Sequence, residues 1–238
     1  MRSIRDTTGR FPERPFYEER ELDQLFEGVV VAFLRHRRGA PTFPITTDEL
    51  TVLIEGDVSD LDQYADLSPY GPDVEGVTEF IPGAKPRVAI AATLSEQGYR
   101  ENRNRTTLAH EYGHVRLHAY LYDLHRPPRP LLGSARKPNA IYCKRDNIIE
   151  AARSDWMEWQ AGYACGAILM PRTYVLRTVG EYQEAHGIFG PVRAESTHGQ
   201  ALVTGTASAF QVSREAARVR LSCLGVIGEP PVIASLFG

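Results

Sequence analysis

The stretch Thr106-Thr107-Leu108-Ala109-His110-Glu111-Tyr112-Gly113-His114-Val115-Arg116-Leu117-His118 decides how the rest of the chain is read. Four residues along a helix advance the side chain by about 400°. His110 and His114 therefore share one face, a turn apart, where both imidazoles reach a single zinc ion. Glu111 is offset by one residue, which sets its carboxylate beside the ion. From there it can take a proton from the activated water and pass it to a leaving amine. The pentapeptide also arises by chance, so its flanks matter. Thr106-Thr107 offer a helix cap, Leu108, Val115 and Leu117 are apolar, and Gly113 allows close approach of a neighbouring element.

Two histidines leave a ligand position to fill, since a catalytic zinc ordinarily has three protein ligands. Residues at three positions compete. His118 lies one further turn along the same helix, too far up it to share a compact site, and reads as a residue that supports a ligand from behind or packs the core. Cys143 reads as a loop thiol just ahead of the next helix, where a thiolate could take the open position and hold an enzyme latent. The plainer reading is a partly buried thiol. Glu158 lies on that next helix, in Asp155-Trp156-Met157-Glu158-Trp159-Gln160-Ala161. A carboxylate brought back across the first helix is the geometry of a gluzincin-type site, although a lone glutamate on an amphipathic helix is more often solvated.

The composition suits an ordinary globular protein. Over 238 residues the chain is 42% hydrophobic and 24% charged, with a net charge of −3. A balance this acidic argues against general nucleic-acid binding. No apolar run approaches the ~18 residues of a membrane span, and Met1-Arg2-Ser3-Ile4-Arg5-Asp6 lacks a secretory core. The three scattered cysteines, Cys143, Cys165 and Cys223, imply reduced thiols. The expected setting is cytoplasmic.

The first dozen residues are polar and are expected to be loose. Apolar residues recur at helical spacing from Glu18 to about Arg37, and basic Arg35-His36-Arg37-Arg38 before Gly39 reads as a helix end. Thr46 to Glu49 carries N-cap chemistry for a short helix through about Ile54. Asp57 to Asp66 reads as a solvated acidic helix in preference to a calcium loop. Val74–Ile81 and Arg87–Ala92 read as strands, a hairpin or sheet neighbours, broken by Pro82 to Pro86. An edge strand at Arg87–Ala92 would be able to pair with an extended substrate. Residues 122–140, rich in Pro, Arg and Gly, read as a surface excursion with no core element. Asp146 to Met170 reads as a long helix ended by Pro171. Gly199 to Gly228 holds another helix, with capping chemistry at Ser213. Tyr112 and Tyr163 stand near the motifs as oxyanion donors or, more plainly, as packing residues.

Three ordered segments carry a family resemblance. Arg103 to His118 resembles the ImmA/IrrE metallo-endopeptidases. Glu158 to Pro171 is similar to that family's second signature, closing on Leu169-Met170-Pro171. Phe210 to Leu221 is similar to its C-terminal helical segment. The resemblance implies a Zn2+ cofactor on His110, His114 and Glu158, with Glu111 as catalytic base. It further implies a protein substrate, usually a helix-turn-helix repressor cleaved to derepress stress-response or mobile-element genes. Gly162 departs from the family's usual Asn or Asp, and the 122–145 excursion separates the signatures more than usual.

The fold class expected is α+β: a mostly helical zincin-like domain with a small sheet and a C-terminal helical, HTH-like segment. The expected division is 1–70, 71–175 and 176–238. Two other functions compete with repressor cleavage. One is a DNA-binding regulator retaining a peptidase-like domain and using Arg214, Arg218 and Arg220, though no clear turn-plus-recognition-helix pair is visible. The other is a defence- or toxin-associated protease with a different protein target.

Overall fold

The helical spacing after Glu18 does form α1 (Glu19–Arg38), which buries Leu22, Phe26, Val30 and Leu34 completely. Gly39 ends it in the left-handed conformation (φ 79°), its N–H on the Arg35 carbonyl. In the computed structural model, residues 1–81, 83–125, 139–144 and 155–229 are described. They fall into two compact units, Met1–Leu169 and Met170–Gly238.

In the first unit the polar N-terminus is ordered, contrary to expectation. Strands β1 (Arg2–Arg5) and β2 (Glu13–Phe16) pair antiparallel in a ribbon. Its loop is organised by Asp6, whose carboxylate accepts from the Thr8 and Phe11 N–H groups at 2.9 and 3.0 Å. Phe11 then inserts among Leu121, Trp156 and Met157. One aromatic anchor, worth about 1.5–3 kcal/mol when fully buried, holds an otherwise polar segment.

Helix α2 (Thr47–Glu55) opens as its capping chemistry requires. The Thr46 hydroxyl accepts from the Glu49 N–H, and the Glu49 side chain returns to the Thr46 N–H. Glu49 also receives the Arg38 guanidinium from α1. The acidic stretch that follows is not a helix. Asp60–Ala65 is strand β3, exposed and half-buried residues alternating along it, in parallel register with β5. Alternation of Asp60, Leu61, Asp62, Gln63 and Tyr64 is the period-two signal that the run of aspartates obscures.

Strands β4 (Val74–Phe80) and β5 (Arg87–Ala91) are antiparallel neighbours. A single turn, α3 (Ala92–Ser95), leads into α4 (Glu101–Leu124). Helix α4 starts at Glu101, so Thr106 and Thr107 do not cap it. Their hydroxyls bond back to the Asn102 and Arg103 carbonyls inside the helix. Strand β6 (Asn139–Lys144) pairs antiparallel with β4, so the 122–140 excursion does contribute to the sheet; residues 126–138 lie outside the described residues. The sheet order is β3-β5-β4-β6. Strand β5 is therefore interior and has no free edge for a substrate, which corrects the edge-strand expectation.

Helix α5 (Trp156–Leu169) falls within the helix expected over Asp146 to Met170; residues 146–154 of that stretch lie outside the described residues. It packs along α4, and Gly113 sets how closely. A Cβ there would lie 3.0 Å from the Ala161 Cα and the Ala164 Cβ. The second unit holds α6 (Arg172–Ala185), α7 (Thr197–Phe210) and α8 (Arg214–Cys223). A three-residue turn joins α7 to α8, with Gln211 in the left-handed conformation (φ 50°). Ser213 caps α8 by accepting from the Ala216 N–H at 3.1 Å, without the reciprocal glutamate of a capping box.

Two stability measurements test this framework. Gly113→Val places a branched side chain into the α4–α5 contact and should cost about 1–3 kcal/mol in chemical denaturation. Burial pushes the Glu49 carboxyl up, but the bonds from Arg38 and Thr46 outweigh it and hold it below its ordinary 4.5. Its stabilising contribution is therefore complete above that pH and is lost as pH falls through the folded value. Glu49→Gln should lower stability at neutral pH and flatten the acid limb of the stability curve.

Candidate metal centre

The middle of helix α4 is buried nearly all round, and it buries polar residues alongside apolar ones. His110, Glu111, His114 and His118 are all 0% exposed. The His110 and His114 Nε2 atoms stand 3.1 Å apart. Helix α5 brings Glu158 across them, with Oε2 3.2 Å from the His110 Nε2 and Oε1 3.3 Å from the His114 Nε2. Ligand atoms held about 2.0–2.1 Å from a tetrahedral ion stand about 3.3–3.4 Å from one another. The two imidazole nitrogens and one carboxylate oxygen lie within 4.8 Å of one another and form a cluster able to hold a metal ion. Burial pushes the Glu158 carboxyl up, but the two imidazoles outweigh it and hold it well below the usual range. Glu158 is thus anionic across the neutral range.

Glu111 faces β4. Its Oε2 accepts from the Thr78 hydroxyl at 2.5 Å. Gly76, two residues earlier, makes the room: a Cβ there would run into the Glu111 Oε1 and lie 2.9 Å from the Glu111 Cδ and the Thr107 Cγ2. Arg103 of α4 bonds Glu75 of β4 at 2.5 Å, pinning the strand beside that contact. Neither Gly76 nor Thr78 figures in the reading of the motifs. A glycine inside a strand is the one available signal, because it marks where another group approaches closely.

His118 turns away from the ligand cluster. Its Nδ1 meets the His114 Nδ1 at 3.0 Å and its Nε2 meets the Gln160 Oε1 at 3.1 Å. Complete burial, then the neighbouring His114, pushes this imidazole well below its ordinary range, so it is neutral. Cys143 belongs to strand β6, not to a loop, and its backbone pairs with Gly76. Its side chain lies outside the described residues. Tyr112 donates to Asp57 at 2.6 Å and Tyr163 to Asp23 at 3.0 Å, so both hydroxyls are engaged in packing contacts.

A buried pair of histidines and a carboxylate on crossed helices, with a second glutamate alongside, defines a candidate metallopeptidase centre. The family model for the IrrE N-terminal-like domain, a peptidase family (M78), matches residues 85–222, more than half of the chain. The protein belongs to this ImmA/IrrE metallopeptidase family. No curated protein and no solved structure matches the chain significantly. Among the described residues no helix is long and apolar enough to cross a membrane.

The contact between Gly76 and Glu111 is open to a direct test. Gly76→Ala should displace the carboxylate and, with Glu111 as the expected base, lower kcat on a peptide substrate by about 100-fold, a loss that a misplacement of about 1 Å can cause. Metal content, measured by atomic absorption, should not change.

Proposed function

We propose that the protein is a zinc-dependent endopeptidase in which His110, His114 and Glu158 hold the ion and Glu111 is the general base. The observation that carries this reading is the mutual spacing of the three donor atoms with the Glu111 carboxylate buried beside them. A zinc ion bound there supplies Lewis acidity, lowering the pKa of a water toward about 7 and polarising a peptide carbonyl. Glu111 takes the proton of the attacking water and delivers it to the leaving amine. Thr78 donates to the Glu111 Oε2 and so orients the carboxylate. Gly76 keeps that carboxylate from being pushed aside.

The substrate proposed is a helix-turn-helix repressor, cleaved in a cytoplasmic setting to derepress stress-response or mobile-element genes. The family membership supports this choice, and the scattered cysteines suit the compartment. A DNA-binding role draws support from the three-residue turn between α7 and α8. The arginines of α8 weigh against it. Arg220 is buried and donates to the Met170 carbonyl at 3.0 Å, Arg214 bonds Gln200 at 2.6 Å, and Arg218 pairs with Glu215.

Wild type and Glu111→Gln, each co-expressed with repressors encoded nearby, provide the test, with new N-termini identified by mass spectrometry. The wild type should produce a discrete new N-terminus and the variant should cut about 100- to 10,000-fold more slowly. Equal cleavage by both proteins would sink the assigned mechanism.

A further inference from the structure

A hydrogen-bonded chain runs from the N-terminal ribbon to a proposed metal ligand. The Gln160 Nε2 donates to the Pro15 carbonyl of β2 at 3.0 Å. The Gln160 Oε1 faces the His118 Nε2 at 3.1 Å, and the His118 Nδ1 faces the His114 Nδ1 at 3.0 Å. Gln160, His118 and His114 are all buried.

The chemistry of the first link fixes all the others. A peptide carbonyl only accepts, so the Gln160 amide nitrogen must face Pro15; the flipped amide would set two acceptors against each other. The Gln160 oxygen is then the atom facing His118, and it too only accepts, so the His118 Nε2 carries the hydrogen. A neutral imidazole has one N–H, which leaves the His118 Nδ1 with its lone pair. That lone pair accepts the His114 Nδ1–H. The His114 Nε2 consequently carries no hydrogen; it is the atom in the ligand cluster, where it faces the Glu158 Oε1 at 3.3 Å and the His110 Nε2 at 3.1 Å, an arrangement that calls for a cation between them. His110 has no such support: its Nδ1 is buried without a hydrogen-bond partner among the described residues.

We propose that Gln160 and His118 are positioning residues that lock His114 in its Nδ1–H tautomer, and that the N-terminal ribbon, through the Pro15 carbonyl, is part of the metal centre. This rests on the reading of His114 as a metal ligand. The ribbon lies outside the family-matched residues 85–222, so the family match does not supply it. Phe11, packed beside Trp156, holds the ribbon in place, and Trp156 in turn meets the His118 ring edge-on at 5.4 Å.

Two measurements on the full chain test the proposal. In metal-free protein at mildly alkaline pH, long-range nitrogen–proton NMR of the histidine rings should show His118 as the Nε2–H tautomer; the Nδ1–H form would overturn the proposal outright. Zinc affinity, by chelator competition, supplies the second readout. Gln160→Met keeps the volume but removes the acceptor, and should weaken binding about 10- to 100-fold. Gln160→Glu restores the acceptor facing His118 but sets a second acceptor against the Pro15 carbonyl, so it should recover only part of the loss. Phe11→Ala, which loosens the ribbon, should weaken binding several-fold, and zinc should slow amide exchange in β1 and β2, because linkage is reciprocal. Affinity within about twofold of wild type in both Gln160→Met and Phe11→Ala would overturn the relay. His114→Ala separates the two readings: zinc binding that is absent from wild type, or unchanged in His114→Ala, sinks the metal centre itself. Binding lost in His114→Ala but unchanged in Gln160→Met and Phe11→Ala sinks only the relay.

Discussion

A buried polar side chain costs several kcal/mol unless a partner replaces water. Helix α4 buries Asn104, Arg105, Thr106, Thr107, His110, Glu111, His114 and His118. Much of the first unit is arranged to answer that cost. Arg105 reaches back to the Ile45 carbonyl at 2.6 Å, tying α4 to the entry of α2. The two threonines satisfy their hydroxyls within the helix. Strand β4 supplies Thr78 to Glu111, and α5 supplies Glu158 to the histidines and Gln160 to His118. The fold holds a polar surface in a dry interior, which is the environment in which a charge on a metal and a proton on a carboxylate have their largest effect.

Two glycines set the approach distances on which this depends. Gly113 lets α5 lie against α4, and Gly76 lets β4 lie against Glu111. They act on neighbouring parts of one helix, one through a helix crossing and one through a strand. Each is costly in its own element, since glycine in a helix or strand interior loses about 0.5–1 kcal/mol relative to alanine. That cost is offset by contacts that no larger residue permits.

The sequence made some of this legible and concealed the rest for identifiable reasons. His110, Glu111 and His114 could be placed together because helical geometry relates residues four apart. Gly113 could be read because a glycine within a helix needs a packing reason. Glu158 is 48 positions from His110, and no local rule relates them; it stands as one of three candidates until the resemblance to a known family singles it out. Strand β3 was hidden because aspartates recur through and beyond it, from Asp57 to Asp66, while its alternation is carried by Leu61, Gln63 and Ala65. The ribbon was hidden because one residue, Phe11, supplies its anchor. Gln160 was unreadable as a site residue because its partners, Pro15 and His118, are 145 and 42 residues away.

The ribbon reaches the ligand helix at points on either side of Glu158, and the magnitudes decide which contact matters. Arg10 pairs with Asp155 at 3.0 Å, but both side chains are about four-tenths exposed, and such a pair contributes about 0–1 kcal/mol. The Gln160 bond to Pro15 is buried and links to His118, and Phe11 adds an apolar contact beside Trp156. The interior contacts, not the surface ion pair, therefore carry the link between the ribbon and α5. Because Asp155, Glu158 and Gln160 lie within two turns of one another, a shift of the ribbon would move the third ligand and the support of the second together. The two ends of the ligand set are coupled through sixteen residues at the N-terminus, although those residues contribute no side chain to the ligand cluster.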